Sequence, residues 1–286
     1  MKYTLLCIVL LCFTAEAFSQ ETEQADPESV FGKQDPLPEK GDFSIGFDAI
    51  PFAEYIGNIF NNTQNNSVGA DFVGNNQQIF GKYFLSDDMA VRGRLRLDQD
   101  VTTNRNRVMQ DNQEVPDPNV EVVDEWTNNS TFVRLGGGVE FRKGEGRVIG
   151  VFGGEASFIY GRTSTKYDYG NPITEGNQSP TTTTGFSQVN GGRFERLSEE
   201  AKNKQLGVGL NGFAGIEYFV APKISIGAEF TLGVDFIKDY REQDTYEYWD
   251  SISNSVESRQ SVFEGGNSLT VFTGNYGGSI NLMFYF

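Results

Sequence analysis

The chain has 286 residues, 39 of them acidic against 23 basic, for a formal net charge of −16. That balance argues against nucleic acid or an anionic lipid surface as the main partner. Histidine is absent and the two cysteines, Cys7 and Cys12, lie near the start of the chain. Ser-His-Asp and Cys-His catalysis, disulfide stapling of the remainder and most zinc sites are thereby removed.

Residues 1–19 read as a secretory signal peptide. Lys2 is followed by an apolar run from Leu5 to Phe13, with small residues at Ala15, Ala17 and Ser19 before the expected cleavage point. The run is far shorter than the roughly 20 residues of a spanning helix. Residues 20–41 are acidic, contain prolines and lack periodicity, which predicts a flexible extension.

From residue 42 the pattern changes to apolar alternation with period two, the mark of strands with one apolar face. Eight such segments follow: 42–50, 77–85, 89–97, 130–142, 147–160, 205–219, 223–236 and 268–286. Their connections alternate. Residues 86–88, 143–146 and 220–222 are tight turns, whereas 51–76, 98–129, 161–204 and 237–267 are expected to be long loops. Short turns at one end and long loops at the other are the pattern of outer-membrane barrels. The expected fold is therefore all-β: a closed antiparallel up-and-down transmembrane β-barrel over 42–286. It has eight strands, or ten if part of 161–204, such as Thr163 to Tyr169, pairs as well. A sheet edge cannot face lipid, so the strands must close.

The faces give the barrel an inside. In 223–236, Ile224, Ile226, Ala228, Phe230, Leu232, Val234 and Phe236 oppose Ser225, Gly227, Glu229, Thr231, Gly233 and Asp235. In 89–97, Val91, Gly93, Leu95 and Leu97 oppose Arg92, Arg94 and Arg96. With apolar faces toward lipid, Lys82, Arg92, Arg94, Arg96, Arg134 and Arg142 meet Asp48, Glu140, Glu155, Glu217, Glu229 and Asp235 in the lumen. Charges taken out of water must be paired, so this set is expected to form an ion-pair network that plugs the lumen. In segment 147–160 Ile149 and Val151 share a face with Glu155, so apolarity and charge point to opposite phases.

AGIEYFVAPKISIGAEFTLGV, GKYFLSDDMAVRGRLRL and the C-terminal aromatic resemble hairpins of Bacteroidetes-type outer-membrane barrels, with the topology of small OmpA/OmpX-like proteins. The resemblance implies both termini in the periplasm, outer-membrane lipid and lipopolysaccharide as surroundings, and recognition of the last strand by the barrel-assembly machinery. Phe284 and Phe286 match that assembly signal, while Asn281 stands where glycine is common. Asp250-Ser251-Ile252 resembles a Bacteroidetes O-glycosylation acceptor.

The barrel enzymes of this membrane depend on histidine, so no catalytic activity, cofactor or metal is expected. The acidic stretch with Asp111, Glu114, Asp117, Glu121, Asp124 and Glu125 lacks EF-hand spacing and reads as a solvated loop rather than a cation site. The stretch around 181–185 reads as mobile. Tyr240, Tyr246, Tyr248 and Trp249 suit a contact surface for a protein or glycan, an interface girdle, or a strand extension. The leading functional reading is a structural or surface-interaction barrel, with a possible surface or membrane-complex protein partner. A small passive channel or transport-assembly subunit, and a secreted β-sandwich, are the alternatives.

Overall fold

The computed structural model describes residues 37–48, 78–115, 117–273 and 279–286. The signal segment, most of the extension, and the connection expected at 51–76 lie outside these residues. Twelve strands are present: β1 (Phe43–Asp48), β2 (Gln78–Ser86), β3 (Met89–Met109), β4 (Glu121–Glu145), β5 (Val148–Asp168) and β6 (Ser187–Asn190). They continue with β7 (Arg193–Ala221), β8 (Ile224–Asp239), β9 (Glu242–Asp250), β10 (Ser255–Phe263), β11 (Asn267–Thr273) and β12 (Ser279–Tyr285).

Eight of these positions close a ring. Each of β1 to β5 pairs with the next, β5 pairs with β7, β7 with β8, β8 with β12, and β12 with β1. All these pairings are antiparallel. The chain is thus a closed eight-position barrel, and β11 adds to the last position by pairing with the far half of β8. The terminal run is therefore described as two strands on one neighbour, with 274–278 between them outside the described set.

The faces are inverted relative to a water-soluble protein. Along β8 every second residue from Ile226 to Phe236 is exposed, and every residue between them is buried. Leu210 is 64% exposed while Glu140 is fully enclosed. Such an arrangement is stable only where the outer surface meets hydrocarbon. The C-terminal strand follows the same rule: Ser279, Asn281, Met283 and Tyr285 are buried, and Phe286 stacks on Phe43 of β1 at 5.1 Å between ring centroids. In β5, Ile149 and Val151 point inward together with Glu155.

The turn end is compact. Gly146 and Lys223 take left-handed backbone angles of +70° and +63°, which allow the β4–β5 and β7–β8 turns to close in two residues. Phe80, Phe84, Ala90, Ile149, Val151, Phe219, Met283 and Tyr285 form an apolar floor, and Leu37 packs against it. The last residues of the segment expected to be flexible are tied down. Gly41 N–H donates to Phe84 O at 2.9 Å, and Lys40 N–H donates to the Asp87 carboxylate at 3.1 Å.

The other end differs from expectation. Residues 98–109, 121–129, 161–168 and 193–204 are strand, not loop, and β9 and β10 occupy most of 237–267. β3, β4, β5 and β7 run 21, 25, 21 and 29 residues, against about 9–11 needed to cross hydrocarbon. The surplus continues the same sheet beyond the apolar band as a distal part ordered β10-β9-β7-β5-β4-β3. Thr163 to Asp168 pair, but as a continuation of β5 rather than as extra barrel strands. The reason is physical. Beyond the band the outer face no longer meets hydrocarbon and the inner face carries polar as well as aromatic groups, so hydrophobic alternation stops while the ladder of backbone hydrogen bonds continues.

Candidate functional site

The inner faces of β2, β3, β4, β5, β7 and β8 place charges at successive heights in the lumen. Nearest the floor, the Ser225 hydroxyl donates to Glu217 at 2.6 Å, and the Tyr285 hydroxyl donates to the same oxygen. Arg142 meets Glu217 at 2.6 Å and Glu140 at 3.1 Å. Lys82 reaches Glu140 at 2.8 Å and Glu217 at 3.6 Å.

At mid-height Arg92 is the hub. Its guanidinium lies 3.2 Å from Glu140, 2.7 Å from Glu155 and 3.0 Å from Glu229, and 4.0 Å over the Phe213 ring. Arg94 bridges Glu155 and Glu229 at 3.4 and 3.2 Å. Higher up, Arg134 forms a bidentate pair with Asp235 at 2.8 and 2.9 Å. Five cations thus meet five carboxylates, each pair with little or no water access. The planar guanidinium fork suits this geometry, because each arginine can satisfy several carboxylate oxygens at once.

Arg96 does not join the cluster. It sits over the Phe132 ring at 4.8 Å, with Asp98 at 3.9 Å. Asp48 is buried on the inner face of β1. Two small spaces lie between these side chains. One of about 10 Å³ is lined by Lys82, Arg92, Glu217 and Glu229, and one of about 40 Å³ by Arg94, Arg96, Arg134, Glu155 and Ser157. The first has room for about one water molecule and the second for a few.

A second constellation, missed in the sequence, occupies the distal sheet. β3 and β4 pair without a register shift from Met89–Phe141 to Met109–Glu121. Asp124, Trp126, Asn128 and Phe132 therefore share the inward face of Arg134. Segment 169–186 lies against that face. The fully enclosed Asp124 carboxylate accepts from Gly170 N–H (3.1 Å), Thr183 N–H (2.7 Å) and the Thr183 hydroxyl (2.9 Å). Asn171 donates to the carbonyls of Met109 and Thr181 and accepts from Asp111 N–H. Phe186 packs edge-on against Trp126 and Tyr167 at 5.0 and 4.7 Å.

These contacts correct two expectations. The 181–185 stretch is anchored, Asp124 is an enclosed acceptor, and the half-buried Asp111 carboxylate accepts from Thr181 N–H at 2.7 Å and the Asn177 amide at 2.9 Å rather than standing free in solvent. Glu125 stands opposite Arg105 across the β3–β4 ladder and pairs with it at 2.7 Å, and Glu121 reaches Arg107 diagonally at 3.5 Å. Among the described residues no group of three or more potential metal ligands converges.

The aromatic stretch at 240–249 is mainly strand extension. Arg196 of β7 sits over Tyr169 at 4.0 Å, donates to Glu247 at 2.6 Å, and donates to Asn171 O at 2.7 Å. Burial pushes the Tyr169 hydroxyl up, so it stays a donor to Leu197 O at 2.6 Å. Asp250-Ser251-Ile252 forms the β9–β10 tip, where Asp250 accepts from Ile252 N–H.

Glu195 of β7 joins three elements. Arg259 of β10 reaches past Tyr246 of β9 to pair with it at 2.6 Å, and Arg193 pairs at 3.1 Å. Burial opposes ionisation of Glu195, but the hydrogen bonds from Arg259 and Arg193 outweigh it and hold its carboxyl below the usual range. A lowered folded value means the contribution is complete above the ordinary value of 4.5 and is lost as pH falls through the folded one. Acidification below that value is expected to raise amide exchange in β10, and Glu195→Gln is expected to raise it already at neutral pH. Equal exchange in both proteins at neutral pH would refute the linkage.

A family model described as the OmpA-OmpF-like porin family matches residues 58–236. The crystal structure of the outer membrane protein OprG from Pseudomonas aeruginosa aligns over 88% of this chain and 99% of its own, at 9% identity and a TM-score of 0.25. No curated protein matches. On the family match, which covers more than half its length, the chain belongs to the OmpA-OmpF-like porin family and is a β-barrel of the bacterial outer membrane.

Proposed function

We propose that this barrel is a non-conducting, non-enzymatic anchor that carries a rigid β-sheet platform on the outside of the cell, with a structural or surface-interaction role. The observation that carries the reading is the lumen. Arg92 is held by three carboxylates across it, and two spaces found between these charged side chains measure about 10 and 40 Å³. A hydrated ion cannot pass such a layer without breaking several desolvated ion pairs, each costly to break.

In this reading the turn end faces the periplasm and the distal sheet faces outward. The strand extensions, pinned by Asp124 and Glu195, keep the platform in one conformation, as suits a surface presented to a protein partner. Phe284 and Phe286 then serve the assembly machinery before the β12–β1 seam closes. Efflux of a small dye from vesicles holding the refolded protein tests the reading. Retention equal to that of protein-free vesicles supports it, and rapid release overturns it.

The family description names porins, which favours a second reading, a passive channel or a subunit of a transport assembly. Rapid dye release would select it.

A further inference from the structure

On the outer surface, at the boundary between the apolar band and the distal sheet, three cations occupy neighbouring strands. Arg162 follows Gly161, which pairs with Gln205, the neighbour of Lys204. Lys238 pairs with Leu206, and Tyr240 N–H donates to Lys204 O at 2.7 Å. Adjacent strands lie about 4.8 Å apart, so the three side chains spring from one short arc of the rim. Directly beneath them the outward residues are apolar and exposed: Phe158, Val208, Phe236 and Leu269.

Two features separate this arc from an ordinary solvated edge. First, two ammonium groups lie within cation–π distance of the Tyr240 ring, Lys204 Nζ at 5.4 Å and Lys238 Nζ at 5.5 Å from its centroid. Two like charges held at one ring repel each other, and an anion bridging them would relieve that repulsion. Second, other cations of the distal sheet have a carboxylate close by. Arg105 has Glu125, Arg107 has Glu121, Lys166 has Asp168 and Arg241 has Glu264. Among the described residues, Arg162, Lys204 and Lys238 have none within ion-pair distance.

We propose that Arg162, Lys204 and Lys238, organised by Tyr240, bind the phosphate of an acylated, phosphorylated lipid of the outer leaflet. The lipid source follows from position. A phosphate held here has its acyl chains against Phe158, Val208 and Phe236, so one ligand satisfies both surfaces. With a net charge of −16, diffuse attraction to an anionic bilayer is unfavourable, and affinity must come from this local cluster. The proposal rests on the orientation given above only in naming the leaflet. Lipid binding and conductance are separate measurements, so failure of one is distinguishable from failure of the other.

The test uses the refolded full chain in neutral detergent, with heat-modifiable electrophoretic mobility confirming the fold. Native mass spectrometry measures binding of diphosphorylated lipid A, its dephosphorylated form, phosphatidylcholine and inorganic phosphate. Wild type is expected to prefer the phosphorylated lipid. Combined Arg162→Gln, Lys204→Gln and Lys238→Gln is expected to weaken it on the order of 100-fold, given about a fivefold gain per basic side chain at a lipid surface. Arg105→Gln with Lys166→Gln, cations paired higher on the sheet, is expected to leave binding unchanged. Equal binding of both lipid A forms, saturation by inorganic phosphate alone, an unaffected triple variant, or an equal loss in the control variant would each overturn the proposal.

Discussion

Arg92→Ala is expected to lower the unfolding free energy of the barrel by about 3–5 kcal/mol, the range for removing one partner of a buried ion pair. The reason is the number of carboxylates it leaves behind. Glu140, Glu155 and Glu229 all converge on this guanidinium, and Arg92 is only 2% exposed. Lys82 and Arg142 still reach Glu140, and Arg94 still reaches Glu155 and Glu229. Without the hub, however, three negative charges face one another across a low-dielectric space. Urea titration in lipid vesicles, followed by circular dichroism, measures the effect. A loss below about 1 kcal/mol, the level of an exposed pair, would mean that the lumen is wetter than its packing implies.

The second large effect is expected at Asp124. Its carboxylate accepts three hydrogen bonds from Gly170 and Thr183 while fully enclosed. Asp124→Ala leaves two part-buried backbone N–H groups, those of Gly170 and Thr183, without their acceptor, each costing up to about 1–3 kcal/mol. The loss is local to the distal sheet. Limited proteolysis is expected to cut within 170–186 in the variant and not in the parent, while heat-modifiable mobility of the barrel is unchanged. Protection of 170–186 in the variant would show that the Phe186–Trp126–Tyr167 packing alone holds the segment.

These two sites were unequally legible in the sequence. Where one face of a strand meets hydrocarbon and the other meets charge, alternation is steep, as in Ile224 to Phe236. Strand, phase and the inward set around Arg92 can be read there residue by residue. The ambiguous phase of β5 has a plain cause: Ile149 and Val151 belong to the apolar floor, where the lumen itself is hydrophobic. Beyond the band, hydrophobicity no longer reports geometry. Residues 98–109 and 121–129 read as loop although they pair without a break. One signal was available. Carrying the even-numbered parity of Arg134 backward through Phe132, Asn128 and Trp126 puts Asp124 on the inner face. The partners it holds, Gly170 and Thr183, come from long-range contacts that no local pattern encodes. The same holds for Glu195 and Arg259, which meet across an intervening strand.

The central claim is that the charge network closes the lumen. Single-channel recording of the full chain refolded into a planar bilayer, at neutral pH and symmetric salt, tests it most directly. The account predicts a silent baseline, with no steady conductance step over long recordings. A reproducible open channel of fixed unitary conductance would contradict it.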